Sequence, residues 1–179
     1  MKLVILAGGK GTRLGSQWVH LPKPMVPLAG RPILEHQLAL AKRYGFEEVI
    51  ILLGHMGGHI RSAFGNLWDG MRLTYLQEER PLGTAGAVRA AAHLLDDDFM
   101  VFYGDTIMDI DLSAFLKFRR AHSDALATLL VHPNDHPFDS DLLEESSGQV
   151  VAFHSKPHPE NLCAPNLVNA ALYILSKRR

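Results

Sequence analysis

The sequence holds one cysteine, Cys163. An intrachain disulfide needs two, so the fold must close on its hydrophobic core, and a reducing compartment is the default expectation. Long hydrophobic runs are missing as well. No stretch approaches the roughly 20 apolar residues of a membrane span. The apolar run at 3–7 is cut by Gly8-Gly9 before it reaches the length of a secretory signal. The expectation is a cytoplasmic protein with no membrane partner. Neither sign of charge dominates: 18 Lys and Arg face 19 Asp and Glu, a formal net charge of −1. That balance argues against a nucleic-acid partner and against an acidic tail, while leaving room for a charged metabolite held by local charge. Internal repeats, low-complexity tracts and linkers are absent too. What is present is 47% hydrophobic residues in a chain of 179, an ordinary globular composition, and a single domain over 1–179 is expected.

The pattern alternates short apolar runs with helical spacing. Runs at 3–7, 49–53, 73–76, 99–103, 125–131 and 167–175 read as strands, most of them buried on both faces. Between them, Pro32 opens a helix whose face is Ile33, His36, Gln37, Leu40, Ala41 and Tyr44, with Gly45 as its stop. Residues 57–64, 84–95 and 112–121 read as further helices, and 142–145 with 150–154 as a hairpin around Ser146-Ser147-Gly148-Gln149. Strands alternating with helices predict an α/β fold: a Rossmann-like, mostly parallel mixed sheet flanked by helices, with the hairpin as an antiparallel addition at one edge.

The first strand ends in Leu6-Ala7-Gly8-Gly9-Lys10-Gly11-Thr12-Arg13-Leu14. Glycines let backbone N–H groups approach an anion closely, and ligands of open α/β sheets bind at the carboxyl ends of strands, where this loop lies. Two common phosphate loops are excluded. A dinucleotide fingerprint would need glycine at Leu14, and a Walker loop would need Gly-Lys-Ser/Thr where Gly11-Thr12-Arg13 stands. Joined to Leu21-Pro22-Lys23-Pro24, the GGKGTRL segment resembles that of the nucleotide-sugar pyrophosphorylases, or sugar-1-phosphate nucleotidyltransferases. The resemblance implies the nucleotide-diphospho-sugar transferase fold and a nucleoside-triphosphate site. In it Leu6, Ala7, Gly8, Gly9, Gly11 and Thr12 would wrap base and phosphates. Arg13 would grip the leaving pyrophosphate with its planar fork, and Lys23 would set a compact positive charge by the α-phosphate.

Glu78-Glu79-Arg80-Pro81-Leu82-Gly83-Thr84 follows the third strand. The resemblance makes this the base-reading loop, with Glu78 as reader beside Gly83 and Thr84. An ionised carboxylate offers only acceptors and guanine offers two adjacent donors, so Glu78 favours GTP; uracil and thymine suit an amide better. The strand at 99–103 delivers Gly104-Asp105, and the resemblance makes Asp105 a Mg²⁺ ligand, in keeping with that ion's preference for few carboxylates plus phosphate and water. On the acceptor side it implies that Gly104, Lys156 and Asn169 bind the sugar 1-phosphate. The wording through Thr106–Leu112 looks like the heptose-1-phosphate guanylyltransferases in particular, and HPNDHPFDSD with HSKPHP looks like bacterial two-module chains of heptose pathways; as a whole the chain is most similar to the heptose-1-phosphate and mannose-1-phosphate guanylyltransferases.

Three departures fall on the sugar side: Ser155 stands for the family's Glu, Asp139-Ser140-Asp141 for Tyr-Gly, and Ala171 for a glycine. The family also continues past its Asn strand to a second metal-binding Asp, so a C-terminally truncated catalytic domain is expected. The expected activity is transfer of GMP from GTP to a heptose or mannose 1-phosphate. A uridylyl- or thymidylyltransferase and a silent nucleotide-sugar-binding subunit remain alternatives, and a homo-oligomer stays open. Asp109 and Asp111 read as solvated or capping, His132, His136, His154 and His158 as loop histidines, and Trp18 and Trp68 as loop packing.

Overall fold

The computed structural model describes residues 1–9, 16–135, 140–159, 162 and 165–177. In chain order it runs β1 (Lys2–Ala7), a short hairpin of β2 (Pro27–Leu28) and β3 (Arg31–Pro32), α1 (Ile33–Arg43), β4 (Glu48–Leu53), α2 (Gly57–Phe64), β5 (Leu67–Trp68), β6 (Met71–Gln77), α3 (Gly83–Ala90), β7 (Asp98–Tyr103), α4 (Leu112–Ala121), β8 (Ala127–His132), β9 (Leu142–Ser146), β10 (Gln149–His154) and β11 (Val168–Ser176). The chain divides into two units, Met1–Thr128 with the segment from Tyr173 onward, and Leu129–Leu172.

In the first unit β1 is central. Leu3, Val4 and Ile5 are wholly buried, and each such side chain contributes about 2 kcal/mol relative to leaving it in water. β1 pairs in parallel with β4 and β7, and β4 with β6, in registers that match Ala7 to Leu53, Leu6 to Tyr103 and Leu53 to Gln77. Parallel pairing in these registers brings the four carboxyl ends to one edge. β5 adds an antiparallel edge beyond β6, and β11 neighbours β7. The chain steps outward from β1 to β4 to β6, then returns through α3 to place β7 on the other side of β1. That reversal opens a crevice at the carboxyl ends of β1 and β7, the general ligand position of such sheets.

Two helices differ from the pattern reading. In α1 the buried line is Leu34, Gln37, Leu38, Leu40 and Ala41. His36 turns outward, its Nε2 2.9 Å from the Leu28 carbonyl. The helix expected over 84–95 ends at Ala90 and tightens into a 3₁₀ turn, Ala92–Leu94, because the Ala91 N–H is shared between the carbonyls of Ala87 and Val88. Asp111 caps α4, accepting from the N–H groups of Ser113 at 2.8 Å and Ala114 at 3.3 Å. No helix among the described residues is long and apolar enough to cross a membrane.

Farther along α4, Arg119 is 3% exposed. Its Nε and Nη2 reach the two oxygens of Asp98 at 3.0 and 3.1 Å, while Nη1 donates to the carbonyls of His122 and Ala125. Removing the carboxylate strands a buried cation. Asp98→Ala is therefore expected to lower unfolding free energy by about 3 kcal/mol in urea titration; an unchanged midpoint would show the pair to be dispensable.

The second unit is built on the β9–β10 hairpin, turned at Ser147 and Gly148, both at positive φ (54° and 80°). The first residue of β11 pairs antiparallel with β9, Val168 opposite Leu142. His154, at the end of β10, lies 2.6 Å from the Glu144 carboxylate across the hairpin, and His132 ends β8, so both sit on strand ends rather than in loops.

Candidate active site

The four strand ends build the site from backbone outward. Gly8 and Gly54 follow β1 and β4 and lie backbone on backbone: a Cβ on Gly54 would fall 2.7 Å from the Gly8 Cα. Gly104 follows β7 just as tightly. A Cβ there would stand 2.8 Å from the Leu6 carbonyl and 3.0 Å from Pro24, and the Gly104 N–H donates to that same carbonyl at 2.9 Å. Glycine is required at Gly54 and Gly104 for close approach rather than for unusual dihedrals. Gln77 ties the Gly54 turn by an Nε2 bond of 2.8 Å to its carbonyl.

A cavity of about 370 Å³ opens over this edge. Leu6, Leu52, Ala87 and Tyr103 line its apolar part, and Ala7, Gly8 and Gly9 its glycine turn. Gly83 and Thr84 bring the start of α3 to it, where unpaired backbone N–H groups favour negative charge. The Glu78 N–H continues the pairing of β6 onto the Leu53 carbonyl at 2.8 Å. Its half-buried side chain leans over the glycine turn, with Oε2 3.6 Å from where a Gly8 Cβ would stand. Lys23 and Asp105 line the same cavity and pair with each other, Nζ to Oδ2 at 2.8 Å, with side chains 25% and 40% exposed.

Sequence candidates Leu6, Ala7, Gly8, Gly9, Lys23, Glu78, Gly83, Thr84 and Asp105 therefore come together around one cavity, with Gly104 at its β7 edge. Gly11, Thr12 and Arg13 lie outside the described residues, as do His136, Asp139 and Cys163. Lys156 and Asn169 belong to the second unit. There the Lys156 N–H donates to the Asp141 carboxylate at 3.0 Å, ahead of a cis peptide to Pro157. The Asn169 side-chain oxygen accepts the Ala171 N–H at 3.0 Å. Ala171 sits at φ 59°, a left-handed conformation that costs a residue with a Cβ about 1 kcal/mol. A glycine, which the resemblance puts at this position, would adopt that conformation without the cost.

A divalent cation fits Asp105. Its carboxylate is partly exposed at the wall of the cavity, and hard cations of the Mg²⁺ type take one or two carboxylates and complete their shell with phosphate and water. The described residues hold no group of three or more His, Cys, Asp or Glu side chains able to bind a metal by themselves, so phosphate oxygens would have to supply much of the coordination.

Pattern reading placed Gln37 only on a helix face. It is 2% exposed, and its Nε2 donates to the carbonyls of Tyr103 at 2.7 Å and Thr106 at 2.6 Å, on either side of Asp105. Its Oε1 has no hydrogen-bond partner among the described residues, a loss of about 2 kcal/mol for a buried acceptor. No local signal marks this contact, which spans more than sixty positions. Tyr103, which lines the cavity and leans on Tyr173 with ring centres 6.0 Å apart, was likewise invisible as a site residue.

A parallel sheet with a glycine turn, a lysine and two carboxylates around its switch-point crevice places the protein among the open α/β proteins whose ligand position is at the carboxyl ends of the strands. Comparison with known proteins narrows this. The chain belongs to the nucleotidyl transferase family, whose model matches residues 2–178. It is 35% identical over 187 residues to a probable mannose-1-phosphate guanylyltransferase 2 of Arabidopsis thaliana, covering 98% of this chain and 50% of the relative. It is 30% identical over 177 residues to the D-glycero-alpha-D-manno-heptose 1-phosphate guanylyltransferase of Campylobacter jejuni, covering 99% of this chain and 76% of the relative. Among solved structures, HddC from Yersinia pseudotuberculosis complexed with GMP-PN superposes with a TM-score of 0.79 at 28% identity, covering 98% of this chain and 76% of that one. The chain thus spans half the length of the plant relative and about three-quarters of the two bacterial ones.

Proposed function

We propose that this chain transfers GMP from GTP to a sugar 1-phosphate, either a heptose or a mannose 1-phosphate, and releases pyrophosphate. The observation that carries the reading is a single cavity lined by the Gly8-Gly9 turn, by Glu78 and by the Lys23–Asp105 pair. The glycine turn suits phosphates, the acceptor-only carboxylate suits guanine, and the lysine suits charge that builds at the α-phosphate. The guanylyltransferase names of the relatives support the choice of GTP.

In this reading an oxygen of the sugar 1-phosphate attacks the α-phosphorus of GTP. A new phosphorus–oxygen bond forms there as the bond to the α–β bridging oxygen breaks, and its electron pair leaves on pyrophosphate. The acceptor is already an anion, so neither a general base nor a covalent enzyme intermediate is needed. Gly8, Gly9, Gly11 and Thr12 bind the triphosphate through backbone N–H groups, and Arg13 holds the departing pyrophosphate. Lys23 meets the α-phosphate, and the family resemblance alone assigns Lys156 and Asn169 to the acceptor. Mg²⁺ on Asp105, when bound, supplies neutralisation of phosphate charge. Everything else is positioning.

Pyrophosphate release measured with GTP, UTP and dTTP, each against mannose 1-phosphate and heptose 1-phosphate, tests the proposal. GTP is the expected donor. Preference for UTP or dTTP would make the protein a uridylyl- or thymidylyltransferase, and GDP-sugar binding without pyrophosphate release would make it a silent binding subunit.

A further inference from the structure

Asp105 is carried on the turn that leaves β7, and that turn is held from two sides. From the sheet, the Gly104 N–H donates to the Leu6 carbonyl at 2.9 Å. From the helix layer, one amide of α1 reaches across: Gln37 Nε2 donates to the carbonyl of Tyr103 at 2.7 Å and to that of Thr106 at 2.6 Å. These carbonyls bracket Gly104-Asp105, and the Thr106 N–H closes the turn on the Tyr103 carbonyl at 3.2 Å. Gln37 itself is absent from the cavity lining.

The chemistry of this amide is lopsided. Both partners are acceptors, so the nitrogen must face them, and the oxygen is left buried without a partner among the described residues. A side chain serving only to fill the space beneath α1 would be better as leucine or methionine, which bury no unpaired oxygen. The amide makes sense for what its two donors hold.

We propose that Gln37 is the positioning residue of Asp105. It clamps both ends of the turn, so that the carboxylate is presented to the cavity instead of drifting with a loose loop. The inference rests on the reading of Asp105 as a working carboxylate. Partners that orient a ligating group, one step removed from the ion, commonly change affinity or rate by about 10- to 100-fold when lost.

The test compares Gln37→Leu, Asp105→Asn and the double variant with the parent chain. Steady-state pyrophosphate release is measured beside Mn²⁺ binding followed by EPR in the presence of a non-transferable GTP analogue. Gln37→Leu is expected to lower kcat about tenfold, to weaken Mn²⁺ binding by a similar factor, and to leave KM for GTP nearly unchanged. In the Asp105→Asn background the same change should do nothing further to either readout. An equal loss in both backgrounds would assign Gln37 to packing alone and overturn the proposal, as would parental kcat and Mn²⁺ affinity in Gln37→Leu. If Gln37→Leu does not fold, Gln37→Asn, shorter by one methylene, carries the same comparison. An Asp105→Asn variant with parental turnover and Mn²⁺ affinity would instead bring down the reading of Asp105. Loss in Asp105→Asn beside a parental Gln37→Leu would bring down only the role of Gln37.

Discussion

Asp105→Ala is expected to lower kcat for pyrophosphate release about a thousandfold while leaving the fold intact. The two halves of that expectation have separate origins. Asp105 stands beyond the last residue of β7, its side chain 40% exposed and paired with Lys23 at 2.8 Å. A pair so open to water contributes less than about 1 kcal/mol to stability, so thermal unfolding should move little. The same carboxylate lines the cavity proposed to hold the triphosphate. Glu78, the other acid on the cavity wall, follows β6 at a different strand end. Purified Asp105→Ala with near-parental kcat would refute the assignment; a matched loss of folded protein would make the residue structural.

Glu78→Gln is expected to reshape base choice rather than abolish turnover. Guanine presents two neighbouring donors, N1–H and the exocyclic amine, and a carboxylate accepts both. An amide turns one acceptor into a donor, so one contact becomes a clash of donors in a half-buried setting. Losing one charge-assisted hydrogen bond there lowers kcat/KM for GTP by about 100-fold. Uracil places one donor beside an acceptor, which an amide complements, so the UTP value should hold or rise. Competition of GTP against UTP in parent and variant measures the shift directly. An unmoved ratio would leave base reading to the backbone of the α3 start.

Much of this site was readable before any coordinates. Gly8-Gly9, Lys23, Glu78, Gly83-Thr84 and Asp105 stand in segments that the family resemblance singles out, and they line one cavity because a parallel sheet gathers strand ends at one edge. The helix at 84–95 shows where local reading fails. Its alanines favour helix throughout, yet the chain tightens after Ala90 as the wholly buried Ala91 and then Leu95 pack into the layer over Val4, Ile50 and Phe99. The face of α1 fails in the same way. His36 and Leu38 both suit a helical stripe, and only the sheet beneath selects Leu38 for burial.

The amino-acid order alone determined the alternation of strands and helices, the glycine turn and the charges at the strand ends, because hydrophobic period, backbone freedom and charge are properties of neighbours in the chain. Tertiary structure alone decided that Lys23 meets Asp105 across 82 positions and that Gln37 clamps the carbonyls around Asp105. Such pairings depend on which strand lies beside which, and that follows from burying both faces of the sheet at once, a condition no short window of sequence contains.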